Sequence, residues 1–150
     1  MRIINQSQLD VRAYNFIKQV IKPYNIERLS SIKLSETSNG DSAFYGRFRY
    51  PKDRPWSIVA SVHKDWKYPM YDYIAVGTET NGDKWHYVNV HRKFDNYEDA
   101  MLYVFFHEWF HYIRKTDQIS VSAYGKNGEP SANKYSLDQV DLYKKGGVIC

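Results

Sequence analysis

The stretch Asn96–Lys115, NYEDAMLYVFFHEWFHYIRK, decides how the rest of the chain is read. Asn96 is a favoured helix N-cap, Asp99 follows three residues on, and no Gly or Pro interrupts the chain until Gly125. A helix is therefore predicted over 97–115. Its apolar residues Ala100, Met101, Leu102, Val104, Phe105, Phe106, Phe110 and Ile113 occupy most of the circumference, which marks a helix enclosed by the domain rather than laid on its surface. Inside it, Phe105–Tyr112 (FFHEWFHY) sets two histidines and a glutamate among large aromatic rings. An unpaired carboxylate is costly to bury, so these three polar residues should have a partner.

A metal ion is the partner their spacing suits. Residues four apart on a helix stand one above the other, separated by about 6 Å of rise, so the imidazoles of His107 and His111 can converge on one ion. Glu108 lies about 100° further round from His107, beside such an ion and suited to a water bound to it. Zn²⁺ lowers the pKa of that water towards neutrality, and a glutamate can take its proton as hydroxide attacks a polarised carbonyl. His-Glu-x-x-His is the spacing this chemistry requires.

A zinc site normally takes at least three protein ligands, and no histidine follows His111, so the third should be a downstream carboxylate. Asp117 is six residues after His111, Asp138 and Asp141 lie in a predicted last helix, and Glu129 stands at the start of that helix, just before Pro130. The order of a His-Glu-x-x-His helix, a loop, and then Glu129-Pro130-Ser131-Ala132-Asn133-Lys134-Tyr135-Ser136 resembles the ImmA/IrrE-type metallopeptidases, with their Glu-x-x-Ala-Asn-x-aromatic-small segment. The resemblance implies that His107, His111 and Glu129 bind zinc in the gluzincin manner and that Glu108 is the general base. It also implies a zincin-like fold and a protease acting on a specific regulatory protein. SprT-like zincins, which also set a minimal sheet before the motif helix, are a neighbouring resemblance.

Working outward, Ser7-Gln8-Leu9-Asp10 reads as a capping box before Leu9, Ala13, Phe16, Ile17, Val20 and Ile21 at helical spacing, and Pro23 stops the run. SIKLSET, AFYGRFRY, WSIVASVH, YDYIAVGTE and KWHYVNVHR are β-branched and aromatic runs divided by turn residues, with Asn39-Gly40 and Asn81-Gly82 placed for type I′ hairpins. About five largely antiparallel strands are expected. In zincins the strand before the motif helix lines the cleft, and HYVNVHRKF would be that strand by analogy. His63, His86 and His91 fall in predicted strands; His86 and His91, five apart, face opposite sides and cannot share an ion. KTDQISVSAYGKNGEP is a looser segment, and the last helix begins near Pro130, leaving KKGGVIC as a frayed tail. Helix, sheet, helix, helix is an α+β order, here one domain over 1–150.

Length and a 43% hydrophobic content suffice for one core. No run approaches the roughly 18 apolar residues of a membrane span, and MRIINQSQLDV has no apolar signal core, so a soluble cytoplasmic protein without a membrane partner is expected. The single cysteine, Cys150, excludes an intrachain disulfide and a cysteine-based zinc site. A net charge of +4 permits nucleic acid as a partner, but the 21 basic residues are dispersed along the chain. The expectation is thus a zinc metallopeptidase acting on a protein or peptide. The alternatives are a catalytically inactive zincin-fold binding module and a basic nucleic-acid-binding domain.

Overall fold

The computed structural model describes residues 1–38 and 42–146, with Val121 described by its backbone alone. Asn39-Gly40, Cys150 and the last residues of the tail lie outside the described residues. The long helix, α2 (Tyr97–Lys115), runs over the span expected for it. The Asn96 side chain caps it by accepting from the Asp99 N–H at 2.9 Å, and Asp99 in turn accepts from the Asp95 N–H at 3.1 Å. Phe105, Phe106, Trp109, Phe110 and Tyr112 are all fully buried. Each such side chain contributes about 1.5–3 kcal/mol of apolar burial, so together they outweigh the cost of carrying His107, Glu108 and His111 in the same helix.

Four strands form a mixed sheet in the order β1 (Arg2–Asn5), β2 (Leu29–Thr37), β4 (Trp56–His63), β3 (Phe44–Arg49). β1 and β4 both run parallel to β2, and only β3 is antiparallel to its neighbour. The largely antiparallel sheet expected from the sequence is thereby corrected. The physical reason is α1 (Val11–Ile21), which carries the chain from β1 back to the end where it started, so that β2 re-enters alongside β1. Ile32 and Leu34 of β2, and Ile58, Ala60 and Val62 of β4, are fully buried against the helices. The opposite face carries Ser31, Lys33 and Ser35 of β2 and Tyr45, Arg47 and Arg49 of β3.

Other boundaries also moved. β1 is an additional strand, and α1 begins after Asp10, whose carboxylate caps the helix by accepting from the Ala13 N–H at 2.7 Å. Ser7 instead accepts from the Leu9 N–H, so the expected capping box is a turn ahead of the helix. β2 and β3 both pair with β4 rather than with each other, so they are not the two arms of a hairpin. β5 (Met70–Asn81) and β6 (Lys84–Phe94) do form one, as a separate two-stranded sheet. Their loop is Gly82-Asp83, with Gly82 at φ 65° in the first central position, the pattern of a type II′ turn rather than type I′.

A single turn, α3 (Val121–Tyr124), interrupts the looser segment. It is followed by α4 (Gly128–Lys144), which starts two residues before Pro130. The proline sits in the first turn, where a missing N–H costs no helical hydrogen bond. α4 packs along α2, and the hairpin packs on α4, pinned by the Arg92–Asp141 ion pair at 2.6 Å. No helix among the described residues is long and apolar enough to cross a membrane.

Candidate metal centre

Tyr103, His107 and His111 recur every fourth residue of α2, and Glu129 and Asn133 are four apart on α4. This periodicity puts each set on one helix face, and the two faces meet. The His111 Nε2 lies 2.9 Å from Glu129 Oε1, the His107 Nε2 lies 3.1 Å from Glu129 Oε2, and the two Nε2 atoms are 3.3 Å apart. His107, His111 and Glu129 thus form a group that could hold a metal ion. The imidazoles are largely enclosed, whereas the Glu129 side chain is 70% exposed and stands at the mouth. Its position in the first turn of α4 places its charge at the positive end of the helix dipole.

Asn133, which the sequence reading left without a role, sets the tautomer. Its amide nitrogen donates to the Ala75 carbonyl of β5 at 2.9 Å, so its oxygen faces the other way and accepts from the Tyr103 hydroxyl at 2.9 Å and from His107 Nδ1 at 2.7 Å. His107 Nδ1 therefore carries the proton, and its Nε2 is left to face His111 and Glu129. The signal for Asn133 was in the sequence: it follows Glu129 by one helical turn. Were the group to hold zinc, Asn133→Ala should weaken that binding by about 10–100-fold, the usual cost of removing a partner that orients a metal-binding histidine. Competition titration against a zinc-sensitive dye measures it, and an unchanged affinity would remove Asn133 from this role.

The electrostatics follow from the same contacts. Burial pulls the His107 pKa down, but the hydrogen bond and charge of Glu129 outweigh it and leave the imidazole above its ordinary value. Hydrogen bonds from His107 and His111 hold the Glu129 carboxyl far below its own. Glu108, 8% exposed, is raised by burial against the opposing charges of the two histidines. The nearby backbone of Phe48 lowers it slightly, and the carboxylate lies 3.7 Å from His107 Nε2.

β3 packs beside Glu108, while HYVNVHRKF lies in β6 of the hairpin and reaches the other side of the group, where Tyr87 walls a cavity with Glu129. β3 is an edge strand, with β4 on one side and no described strand on the other. The His63 N–H bonds to the Ala43 carbonyl at 2.7 Å, which fixes the phase of the ladder. By alternation Tyr45, Arg47 and Arg49 bond to β4, while the peptide groups of Phe44, Gly46 and Phe48 point to the open edge. Gly46 is where β3 comes closest to α2: a Cβ there would stand 2.8 Å from Val104 Cγ1 and 2.9 Å from Glu108 Cγ. A cavity of about 370 Å³ opens between Gly46, Phe48, Tyr50, Glu108, His111 and Glu129. Another of about 340 Å³ lies on the far side of Glu129, walled by Thr78, Trp85 and Tyr87 of the hairpin.

The remaining candidates are engaged elsewhere. Asp117, at φ 56°, turns the chain after α2 and lines a groove with Asn25, Arg28 and Gln118. Asp138 accepts from the Tyr124 hydroxyl at 3.1 Å, and Asp141 pairs with Arg92. Tyr124 has its pKa pushed up to about 12, chiefly by burial, and Tyr135 is packed in the core. His63 accepts from the Asp65 N–H, His86 lies 3.5 Å from Glu79, and His91 stacks on Tyr71 and Tyr73, so the strand histidines have local partners. No family model matches the chain, and neither a curated protein nor a solved structure was found to be similar to it.

Proposed function

We infer that the protein is a zinc-dependent metallopeptidase of the minimal zincin kind, with His107, His111 and Glu129 as ligands and Glu108 as general base. The observation that carries this reading is the convergence of His107, His111 and Glu129 next to Glu108, a buried carboxylate at the open edge of a strand. The donor set suits zinc: two imidazoles and a carboxylate, each offering one ligand atom, lie within 4.8 Å of one another and would hold the ion. A bound zinc ion would supply Lewis acidity, making water acidic near neutral pH and polarising a carbonyl.

The chain's own groups do the rest. Burial raises the Glu108 pKa, which makes the carboxylate a better proton acceptor, and Glu108 lines the cleft beside His111 and Glu129. Glu108 takes the proton of the attacking water and delivers it to the leaving amine. The open peptide groups of Phe44 and Gly46 offer an extended peptide the hydrogen bonds of an added strand, which would carry its backbone past Glu108.

Protein purified without chelator should hold close to one zinc per chain by elemental analysis and should hydrolyse peptides in a mixed protein digest. Chelation should abolish hydrolysis and zinc should restore it. Glu129→Gln should lower zinc affinity. Ligation needs neutral His107, whose pKa in the metal-free protein lies above 6.5, so affinity should fall as pH drops through that raised value, sooner than for an ordinary histidine. A protein that takes up no zinc, or a zinc-loaded protein that leaves every peptide intact, would refute the reading. Full affinity in Glu129→Gln would move the third ligand elsewhere.

A further inference from the structure

A cavity of about 660 Å³ adjoins the metal cleft rather than forming part of it. It lies beside β3 and is lined by Arg47, Arg49 and Arg54 together with Phe48 and Tyr50. No carboxylate lines it; Asp53 lies 3.9 Å from Arg54 with both side chains exposed, a contact that water screens, and Glu108 and Glu129 line the neighbouring cleft rather than this cavity. Arg47, Phe48 and Tyr50 also line the cleft that holds Glu108, His111 and Glu129, so the two spaces are continuous. Cationic character extends across the sheet face, where Lys33 and Arg47 both flank Val59 in register.

The pleat gives this arrangement a reading frame. Along β3, Phe44, Gly46 and Phe48 face α2 and the metal centre, while Tyr45, Arg47 and Arg49 face the other way. A strand added to the open edge places each of its side chains on the same face as the β3 residue opposite it. Residues opposite Gly46 and Phe48 then face the metal, and their immediate neighbours face the arginines.

We propose that the arginine-lined cavity beside β3 is a specificity pocket for an acidic side chain of the peptide substrate, next in sequence to a residue that faces the metal centre. The proposal rests on the peptidase reading for its substrate. Charge complementarity selects the ligand class: planar guanidinium groups bind carboxylates in paired hydrogen bonds, and the cavity offers no competing acid of its own.

The test uses zinc-loaded Glu108→Gln protein, which should bind without turnover. Its probes are a fluorescent peptide containing glutamates at alternate positions, the same peptide with glutamine in their place, and a labelled oligothymidylate. The glutamate peptide should bind roughly tenfold more tightly than the glutamine peptide, the scale of one charge-assisted contact, and the difference should shrink as salt is raised. Arg47→Gln with Arg49→Gln, both on exposed side chains, should abolish that difference. Equal affinity for the two peptides in unaltered arginine background overturns the proposal without depending on any variant's folding. So does tighter binding of the oligonucleotide that the arginine substitutions abolish while peptide binding persists, which would make the cavity a nucleic-acid site. Cleavage by the wild type separates the two readings. Preferential binding of the glutamate peptide without cleavage keeps the pocket and removes the peptidase; cleavage of both peptides with equal affinity and equal rate does the reverse.

Discussion

On the metallopeptidase reading, Glu108→Gln should reduce peptide hydrolysis by roughly 10²–10⁴-fold while leaving zinc content at the wild-type level. The substitution keeps volume and shape at a position only 8% exposed. What it loses is the capacity to take a proton. None of His107, His111 or Glu129 depends on the Glu108 charge for its position, since His107 is held by Asn133 and Glu129 is carried by α4. The loss should therefore appear in kcat, with KM for a peptide nearly unchanged. Steady-state kinetics beside elemental analysis decides it: a variant that retains its zinc and most of its activity would show that some other group accepts the proton. The comparison is cleaner than removing a ligand, because zinc loss alone does not distinguish a catalytic centre from a structural one.

Gly46→Ala is the second substitution with a large expected effect, because it acts on Glu108 from outside the motif. The added methyl would meet Val104 Cγ1 and Glu108 Cγ at under 3.0 Å, so either β3 must back away from α2 or the glutamate must leave its place. Overpacking of this kind costs about 1–3 kcal/mol, which urea denaturation can measure. Activity should fall by about 10²-fold, as expected when a reacting group is moved by an ångström. Zinc content should be unaltered, since the contacts at Gly46 involve none of the three residues of the metal group. Full activity with lowered stability would mean that the edge strand gives way and Glu108 does not.

The course of α2, and the side on which His107 and His111 stand, could be read from the sequence because both are fixed inside one element. Asn96, the unbroken run to Lys115 and the four-residue spacing are local facts, and helical geometry turns them directly into positions. Glu129 could be placed near the start of a helix, but that this start meets the histidines depends on how α4 packs on α2, which no spacing states. Strand partners were less legible. Ser31–Leu34 of β2 alternates as a stretch of antiparallel strand would, and nothing in SIKLSET reveals that α1 has returned the chain to run parallel with β1. β1 itself is four residues long and only half-buried, too short to register as a periodic pattern. The arginine cavity was hidden for a similar reason. Arg47, Arg49 and Arg54 are unremarkable among 21 dispersed cations until the fold brings them round one cavity.

An unpaired strand edge carries a hazard of its own, because a second copy of the same chain is the strand most readily available to complete it. Two copies of β3 aligned edge to edge and antiparallel would bring Arg47 and Arg49 of one against the same residues of the other, like charges meeting on one face. Such a pairing would have the strand repel its own image, a barrier that a partner of opposite sign does not meet.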